Sequence, residues 1–134
     1  MRQEYQLDFL QHILNQFDGL GSITEHRLFT TGFENTNYFV HTDRGKYAIK
    51  IFEGVHLRPD TINFEITVMN ACWQAGLKTP HLIASHNGDC LLTFQCKRVI
   101  VMDYIEGKNM ATMPLTDTIV YQVGQETGKM DNVL

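Results

Sequence analysis

One lysine and one glutamate constrain the fold of this chain more than any other pair of residues. Lys50 lies within Lys46–Phe52, an apolar stretch with the composition of a β-strand. Glu65 lies at the edge of the apolar stripe of the helix that follows, whose members are Ile62, Ile66, Met69 and Trp73. A charge that faces a protein interior is costly unless it is paired. We therefore predict that this strand and this helix pack together, with Lys50 and Glu65 as an ion pair. The alternative for both is a solvent-facing side chain, which is the commoner position of these residue types.

The rest of the chain supplies further strands and two more helices. Helical spacing predicts a leading helix from about Tyr5 to Phe17, stopped by Gly19, and a last helix from about Thr116 to Met130. Pro59 is well placed to open the central helix and Gly76 to end it. Six stretches have the composition of strands: 27–31, 37–42, 46–52, 81–85, 90–94 and 98–103. Turns are predicted at 32–36, 43–45 and 87–88. These elements predict an α+β fold: a five-stranded antiparallel sheet with one long packed helix, a leading N-terminal helix and a C-terminal helix.

Composition excludes several classes of function. The net charge of −4 and the pI near 5.8 argue against nucleic-acid binding, which needs clustered Lys and Arg. No apolar run is long enough to span a bilayer, and the first residues have no secretory signal core, so no membrane association is predicted. Three cysteines without an export signal indicate free thiols in a reducing compartment, and hence a cytoplasmic protein.

Known motifs for metals and for phosphate-binding loops are missing from the sequence. The six histidines are scattered, and Cys90 and Cys96 do not form a C-x-x-C pair, so no metal site is predicted. The sequence contains neither a Walker A motif nor a G-x-G-x-x-G loop. A strand lysine held by a helix glutamate is, however, the arrangement by which kinase folds present an ammonium group to the α- and β-phosphates of ATP.

The order of these elements and their motifs resembles the N-terminal lobe of the aminoglycoside phosphotransferase-like superfamily of small-molecule kinases. The segment 32–40, Gly-Phe-Glu-Asn-Thr-Asn-Tyr-Phe-Val, most resembles the homoserine kinase (APH-type) branch. The resemblance runs from about Leu20 to Met130. It implies a kinase-like, nucleotide-binding lobe over residues 1–107, with the leading helix in 1–19. Residues 108–134 would then be the hinge exit and the first helix of a C-terminal lobe.

The resemblance implies a site for the phosphates of ATP at one end of the sheet. Lys50 would contact the α- and β-phosphates, and Glu65 would hold Lys50 in place. The turn 32–36 lies where kinases place the loop that covers the phosphates. There the backbone and side chains of Gly32, Asn35 and Thr36 would hold phosphate oxygens. The alternative for this turn is an ordinary hairpin connection.

The resemblance also implies a site for adenine near the end of the last strand. Val40 and Ala48 would cover the ring as small apolar residues, or they belong to the ordinary core of the sheet. Met102 would line the back of the pocket. The Asp103 carbonyl would accept a hydrogen bond from the adenine amino group, and the Ile105 N–H would donate one to a ring nitrogen.

Phosphoryl transfer also needs groups that this sequence does not supply. No catalytic loop of the H-x-D-x-x-x-x-N type follows the hinge before Leu134, and no Asp-Phe-Gly occurs there. In this superfamily the second lobe carries the catalytic loop and the ligands of Mg²⁺, so Mg²⁺ is expected only with that lobe. We expect this chain alone to be inactive, with no catalytic residue of its own. The phosphate acceptor would be a small molecule bound by the full-length enzyme, a hydroxyl compound or an amino alcohol.

Two other functions remain open at this point. The lobe could serve as a stand-alone, non-catalytic binding or interaction module, or the chain could be an α+β domain that binds no nucleotide. If a second lobe is missing, the surface that would face it is left apolar and uncovered, which favours self-association. The residues expected on that surface are Tyr104, Met110, Met113 and Leu115.

Overall fold

The computed structural model describes residues 3–54 and 58–134. The first two residues of the predicted leading segment, and residues 55–57, lie outside the described part. The elements along the chain are α1 (Leu7–Leu14), β1 (Ile23–Leu28), β2 (Asn35–Thr42), β3 (Lys46–Phe52), α2 (Pro59–Gln74), β4 (Leu92–Phe94), β5 (Lys97–Asp103), a 3-10 turn (Met110–Thr112) and α3 (Asp117–Val133).

The strands form one five-stranded antiparallel sheet in the order β1-β2-β3-β5-β4. The predicted α+β fold and the predicted sheet are therefore confirmed. Several boundaries need correction: the first strand is Ile23–Leu28, not 27–31, and β2 begins at Asn35, inside the predicted turn. The ladder explains the second difference, because Asn35 and Thr36 already pair with Phe52 and Ile51 of β3. The leading helix and β4 are shorter than predicted, at Leu7–Leu14 and Leu92–Phe94.

The predicted strand 81–85 is not a strand of the sheet. It contacts β5 through a single bridge between Leu82 and Met102, and Ser85 bridges to Phe17. The turn around Gly88 is present and is closed by a hydrogen bond from the Ser85 N–H to the Asp89 carbonyl, but it does not connect two strands of the sheet. The sheet hairpin forms instead at Gln95 and Cys96, whose φ angles are 47° and 63°. Two consecutive positive φ values are typical of the tight turns that match strand twist.

Alternate residues of the central strands face two different environments. On one side, which we call the back face, α1 covers the sheet with Leu10, Ile13 and Leu14. The strand residues buried against it are Tyr38, Val40, Ile49, Ile51, Val99 and Val101. The other side, which we call the cleft face, carries Asn37, Phe39, Ala48, Lys50, Ile100 and Met102 in adjacent register. Its upper part packs against α2 through Phe52, Ile62 and Ile100.

Helix α2 begins at Pro59 and ends before Gly76. Gly76 has a φ of +81°, and the N–H groups of Gly76 and Leu77 donate to the carbonyls of Trp73 and Cys72. This is the pattern of a glycine-terminated helix. Trp73 does not join the apolar stripe as predicted: it is 44% exposed and stacks on His81, with ring centroids 4.0 Å apart. Cys72 is the buried residue at this end of the helix.

Candidate functional site

A cleft of about 650 Å³ opens on the cleft face, below the loop that joins β1 to β2. The loop, β2, β3, α2 and β5 all contribute to its wall. The lining residues are Gly32, Phe33, Glu34, Asn35, Asn37, Lys50, Glu65, Met69 and Met102. Five of the residues predicted for the site are therefore brought together here: Gly32, Asn35, Lys50, Glu65 and Met102.

Lys50 and Glu65 form the predicted ion pair, with Lys50 Nζ donating to Glu65 Oε1. The side chains keep 21% and 38% of their surface exposed. Lys50 Nζ also lies 4.9 Å from the centroid of the Phe52 ring on the same strand face. A partly exposed ion pair contributes little to stability. It does fix the direction of the ammonium group, which still has donors available toward the cleft.

The loop above Lys50 has the backbone freedom and the amide side chains that anion binding requires. Gly32 has a φ of +107°, a value that favours glycine, and Phe33 at the loop tip is 93% exposed. Asn37, the cross-strand partner of Lys50, was missed by the sequence reasoning. Its position two residues after Asn35 was the available signal. Within the described part of the chain, the buried Oδ1 of Asn35 has no hydrogen-bond partner.

The structure does not place Thr36 and Val40 in the cleft. Both side chains are fully buried on the back face, where Val40 packs in the cluster that α1 covers. The physical reason is strand alternation, since successive side chains point to opposite faces. Phe39 occupies the cleft face instead, directly opposite Ala48. Its ring meets Tyr104 edge-on, with centroids 4.7 Å apart.

The end of β5 lies where the adenine contacts were predicted. Ala48 and Met102 are cross-strand partners on the cleft face and are half-buried. The Asp103 N–H donates to the His81 carbonyl over 3.0 Å, and the Asp103 carboxylate accepts from the His81 N–H. This side chain is engaged outside the cleft, so only the main chain of Asp103 can serve the predicted role. Ile105 follows, about half exposed.

A buried carboxylate behind the cleft escaped the sequence reasoning altogether. The Glu53 side chain is 3% exposed and accepts hydrogen bonds from Tyr5 Oη at 2.7 Å, Lys97 Nζ at 2.8 Å and Thr36 Oγ1 at 2.9 Å. Burial by itself would raise the pKa of Glu53, but the hydrogen bonds from Lys97, Tyr5 and Thr36 outweigh it and lower that pKa. Burial and the Glu53 carboxylate together raise the pKa of Tyr5 to about 12.

The four residues predicted for the lobe-facing surface differ in their exposure. Met110 and Leu115 are 44% and 66% exposed, whereas Tyr104 and Met113 are partly covered. Among the residues described, no three His, Cys, Asp or Glu side chains come together as a metal site would require. Within 3–54 and 58–134, no helix has the length and apolar character needed to cross a membrane.

Comparison with known proteins identifies relatives along nearly the whole chain. A profile described as "phosphotransferase enzyme family" matches residues 25–134. A homoserine kinase of Janthinobacterium sp. (strain Marseille) is 30% identical over 103 residues, which is 77% of this chain and 31% of that protein. A homoserine kinase of Rhodopseudomonas palustris (strain TIE-1) is 26% identical over 125 residues, which is 92% of this chain and 36% of that protein.

Solved structures give the same fold. Spectinomycin phosphotransferase APH(9)-Ia, in complex with ADP and spectinomycin, superposes with a TM-score of 0.73 at 20% identity and covers 95% of this chain and 38% of its own. A microcompartment-associated aminopropanol kinase superposes with a TM-score of 0.71 at 16% identity and covers 95% and 40%. The chain spans about a third of the length of the curated relatives that it matches. It belongs to the phosphotransferase enzyme family.

Proposed function

From this family membership and from the cleft, we propose that the chain is the ATP-binding part of a small-molecule phosphotransferase. The observation that carries the proposal is the Lys50–Glu65 ion pair at the wall of the cleft. A lysine in this position supplies positive charge to the phosphates, and a glutamate fixes its direction. ADP accompanies the structural neighbour spectinomycin phosphotransferase, which supports a nucleotide as the ligand.

The phosphate end of the proposed site consists of Lys50, Gly32 and two asparagines. Lys50 Nζ binds phosphate oxygens and offsets their charge. Gly32 lets the loop backbone approach them closely. Asn35 and Asn37 add amide groups from the same face of β2. The amide nitrogens of both asparagines donate to phosphate oxygens, whereas the unpaired Oδ1 of Asn35 is an acceptor and makes no contact with them.

The adenine end of the proposed site uses Phe39, Ala48 and Met102 as its apolar wall. Phe39 takes the covering role that the sequence assigned to Val40, since it lies on the same sheet face as the cleft, opposite Ala48. The Asp103 carbonyl and the Ile105 N–H bind the edge of the base. An aromatic wall with main-chain hydrogen bonds at the edge is a typical way to hold a flat heterocycle.

The acceptor and the metal belong to the remainder of the proposed enzyme. The relatives are named as kinases or phosphotransferases of homoserine, aminopropanol or spectinomycin. We propose a small hydroxyl compound or amino alcohol as the acceptor. The catalytic base and the Mg²⁺ ligands come from a second lobe, in keeping with relatives about three times as long as this chain. The 134-residue chain alone is expected to bind ATP without turnover.

Two lysines on one strand allow a matched test. Lys46 also lies on the cleft face of β3 and also pairs with a glutamate, Glu106, at 2.6 Å, but at the sheet margin. We expect Lys50→Ala to weaken ATP binding by about tenfold or more, since it removes a charge-assisted contact. Lys46→Ala should change it by less than about twofold. Calorimetric titration with ATP measures both. No binding by the unaltered chain, or equal losses in both variants, would reject the proposal.

Self-association and a cytoplasmic location stay as proposals. Met110 and Leu115 expose apolar surface beyond the hinge, which favours contact between copies. Light scattering over a concentration series tests this, and a strictly monomeric chain at high concentration would contradict it.

The three free cysteines are in keeping with a reducing compartment. Tight capture of a protein partner without any nucleotide binding would favour the stand-alone interaction module instead.

A further inference from the structure

Distant parts of the chain converge on one buried carboxylate behind the cleft. Glu53 follows β3, and Lys97 opens β5, where the register brings the two residues side by side. Tyr5 reaches Glu53 from the N-terminal segment, and Thr36 reaches it from the start of β2. Thr36 Oγ1 also accepts a hydrogen bond from the Gln3 N–H over 2.9 Å. The network thus ties residues 3–5 to the first residues of β2.

Strand alternation places this network directly behind the proposed phosphate site. Thr36 lies between Asn35 and Asn37, whose side chains line the cleft on the opposite face. Gly32 and the exposed Phe33 come immediately before them in the chain. The hydrogen bond that Thr36 donates to Glu53 on the back face therefore restricts the positions of the Asn35 and Asn37 side chains on the cleft face. Lys50 is their neighbour on β3, paired with Asn37.

A buried carboxylate such as Glu53 has a desolvation cost that an apolar residue at the same position would not have. The surrounding back face is apolar, with Tyr38, Ile49 and Ile51 almost completely buried. Buried ionic groups often contribute less to stability than well-packed apolar residues of similar volume. They do impose one specific set of partners, because each unsatisfied group is penalised in a poorly hydrated interior. That property suits a position where the geometry of a neighbouring loop matters.

We propose that Glu53 is a positioning residue for the phosphate end of the cleft. It fixes the start of β2 through its hydrogen bond from Thr36 on the back face. Asn35, Asn37 and the preceding loop thereby keep the geometry that phosphate binding needs. This inference rests on the proposed ATP-binding function. It assigns Glu53 no contact with the nucleotide, since its carboxylate is taken up by Tyr5, Thr36 and Lys97.

The test compares a ligand that has phosphates with one that has none. Glu53→Gln keeps the size of the side chain and removes its charge. We expect it to weaken ATP binding by about tenfold while adenosine affinity changes by less than about twofold. Thr36→Val, which removes only the hydroxyl that links Glu53 to β2, should give the same pattern in a milder form. Glu126→Gln is the matched control, because Glu126 pairs with Lys129 on the exposed face of α3.

Titration of the full 134-residue chain with ATP and with adenosine distinguishes the outcomes. If the unaltered chain binds no ATP, or if Lys50→Ala has no effect, the proposed function fails and this inference fails with it. If Lys50→Ala weakens ATP binding but the Glu53 and Thr36 variants keep the ratio of ATP to adenosine affinity, only the positioning role is rejected. Equal loss of both ligands in both variants indicates general destabilisation and also rejects it. Should Glu53→Gln fail to fold, the Thr36→Val ratio decides.

Discussion

The two faces of the sheet use the same strands for different purposes. On the back face, Val40, Ile49 and Val101 are completely buried under α1. On the cleft face, their chain neighbours Lys50 and Met102 line the cleft, and Phe39 lies on the same face opposite Ala48. A residue's contribution to stability or to binding therefore changes from one position to the next. Neighbouring substitutions should separate the two contributions cleanly.

Removal of a back-face side chain should give the largest effect. We expect Ile49→Ala to lower the free energy of unfolding by about 2–5 kcal/mol, because it leaves a cavity in a fully buried position. Lys50→Ala, one residue along, should cost no more than about 1 kcal/mol, since its ion pair is partly exposed. Urea unfolding followed by circular dichroism measures both. Equal costs for the two variants would contradict the division between faces.

Glu53 brings a charge to the mainly apolar back face, and its contribution to stability should depend on pH. We expect Glu53→Gln to lower the free energy of unfolding by about 1.5–3 kcal/mol at neutral pH, the range for hydrogen bonds to a charged group. Because the folded-state pKa is lowered, this contribution is full above the unfolded-state pKa and is lost as pH falls through the folded-state value. Unfolding of both proteins between pH 7 and pH 3 should show the difference shrinking below about pH 4. A constant difference would show that the charge is not responsible.

Phe39 and Val40 test the division in the same strand. We expect Phe39→Leu to weaken adenosine binding by about threefold to tenfold, since an aromatic contact contributes about 0.5–1.5 kcal/mol. Val40→Ala should instead lower stability by about 1–3 kcal/mol and leave adenosine affinity unchanged. Titration with adenosine and urea unfolding make the comparison. If Val40→Ala weakens adenosine binding and Phe39→Leu does not, then Val40 and not Phe39 contacts the adenine.

The smallest expected effect lies where α1 meets the turn around Gly88. His86 Nδ1 lies 2.6 Å from Asp18 Oδ1, and His86 Nε2 lies 2.9 Å from the Asn15 carbonyl. Only the protonated ring can donate to both acceptors, and the contacts with Asn15 and Asp18 raise the pKa of His86. Its contribution is therefore full below about pH 6.5, the ordinary value, and is lost as pH rises through the folded-state pKa.

His86→Gln removes that charge and measures its contribution. Thermal unfolding should differ from that of the unaltered chain by a few degrees at most near pH 6, and the difference should shrink at higher pH. Lys129→Gln, on exposed α3, is the control for a surface ion pair that contains no histidine. A difference that grows with pH would reject the contribution of the imidazolium.

Two cases show what can and cannot be predicted from this sequence: the Lys50–Glu65 pair, and the sheet face on which Phe39 and Val40 lie. Lys50 and Glu65 were predictable because each is a charge placed among apolar residues on a regular element. Val40 was named for the cleft, and Phe39 was not, because Tyr38, Phe39 and Val40 are all apolar, and all three are buried. A strand that is apolar on both faces has no alternation to reveal which residue points where.

Apart from the predicted strand 81–85, the order of helices and strands followed from the chain alone, as did the lysine and glutamate that would meet between them. Local periodicity and the cost of an unpaired charge act on neighbouring residues. The face of each β2 residue and the partners of Glu53 were decided only in three dimensions. Register is set by pairing with other strands, and the donors to Glu53 come from residues 5, 36 and 97. No local pattern in the sequence records contacts between segments so far apart.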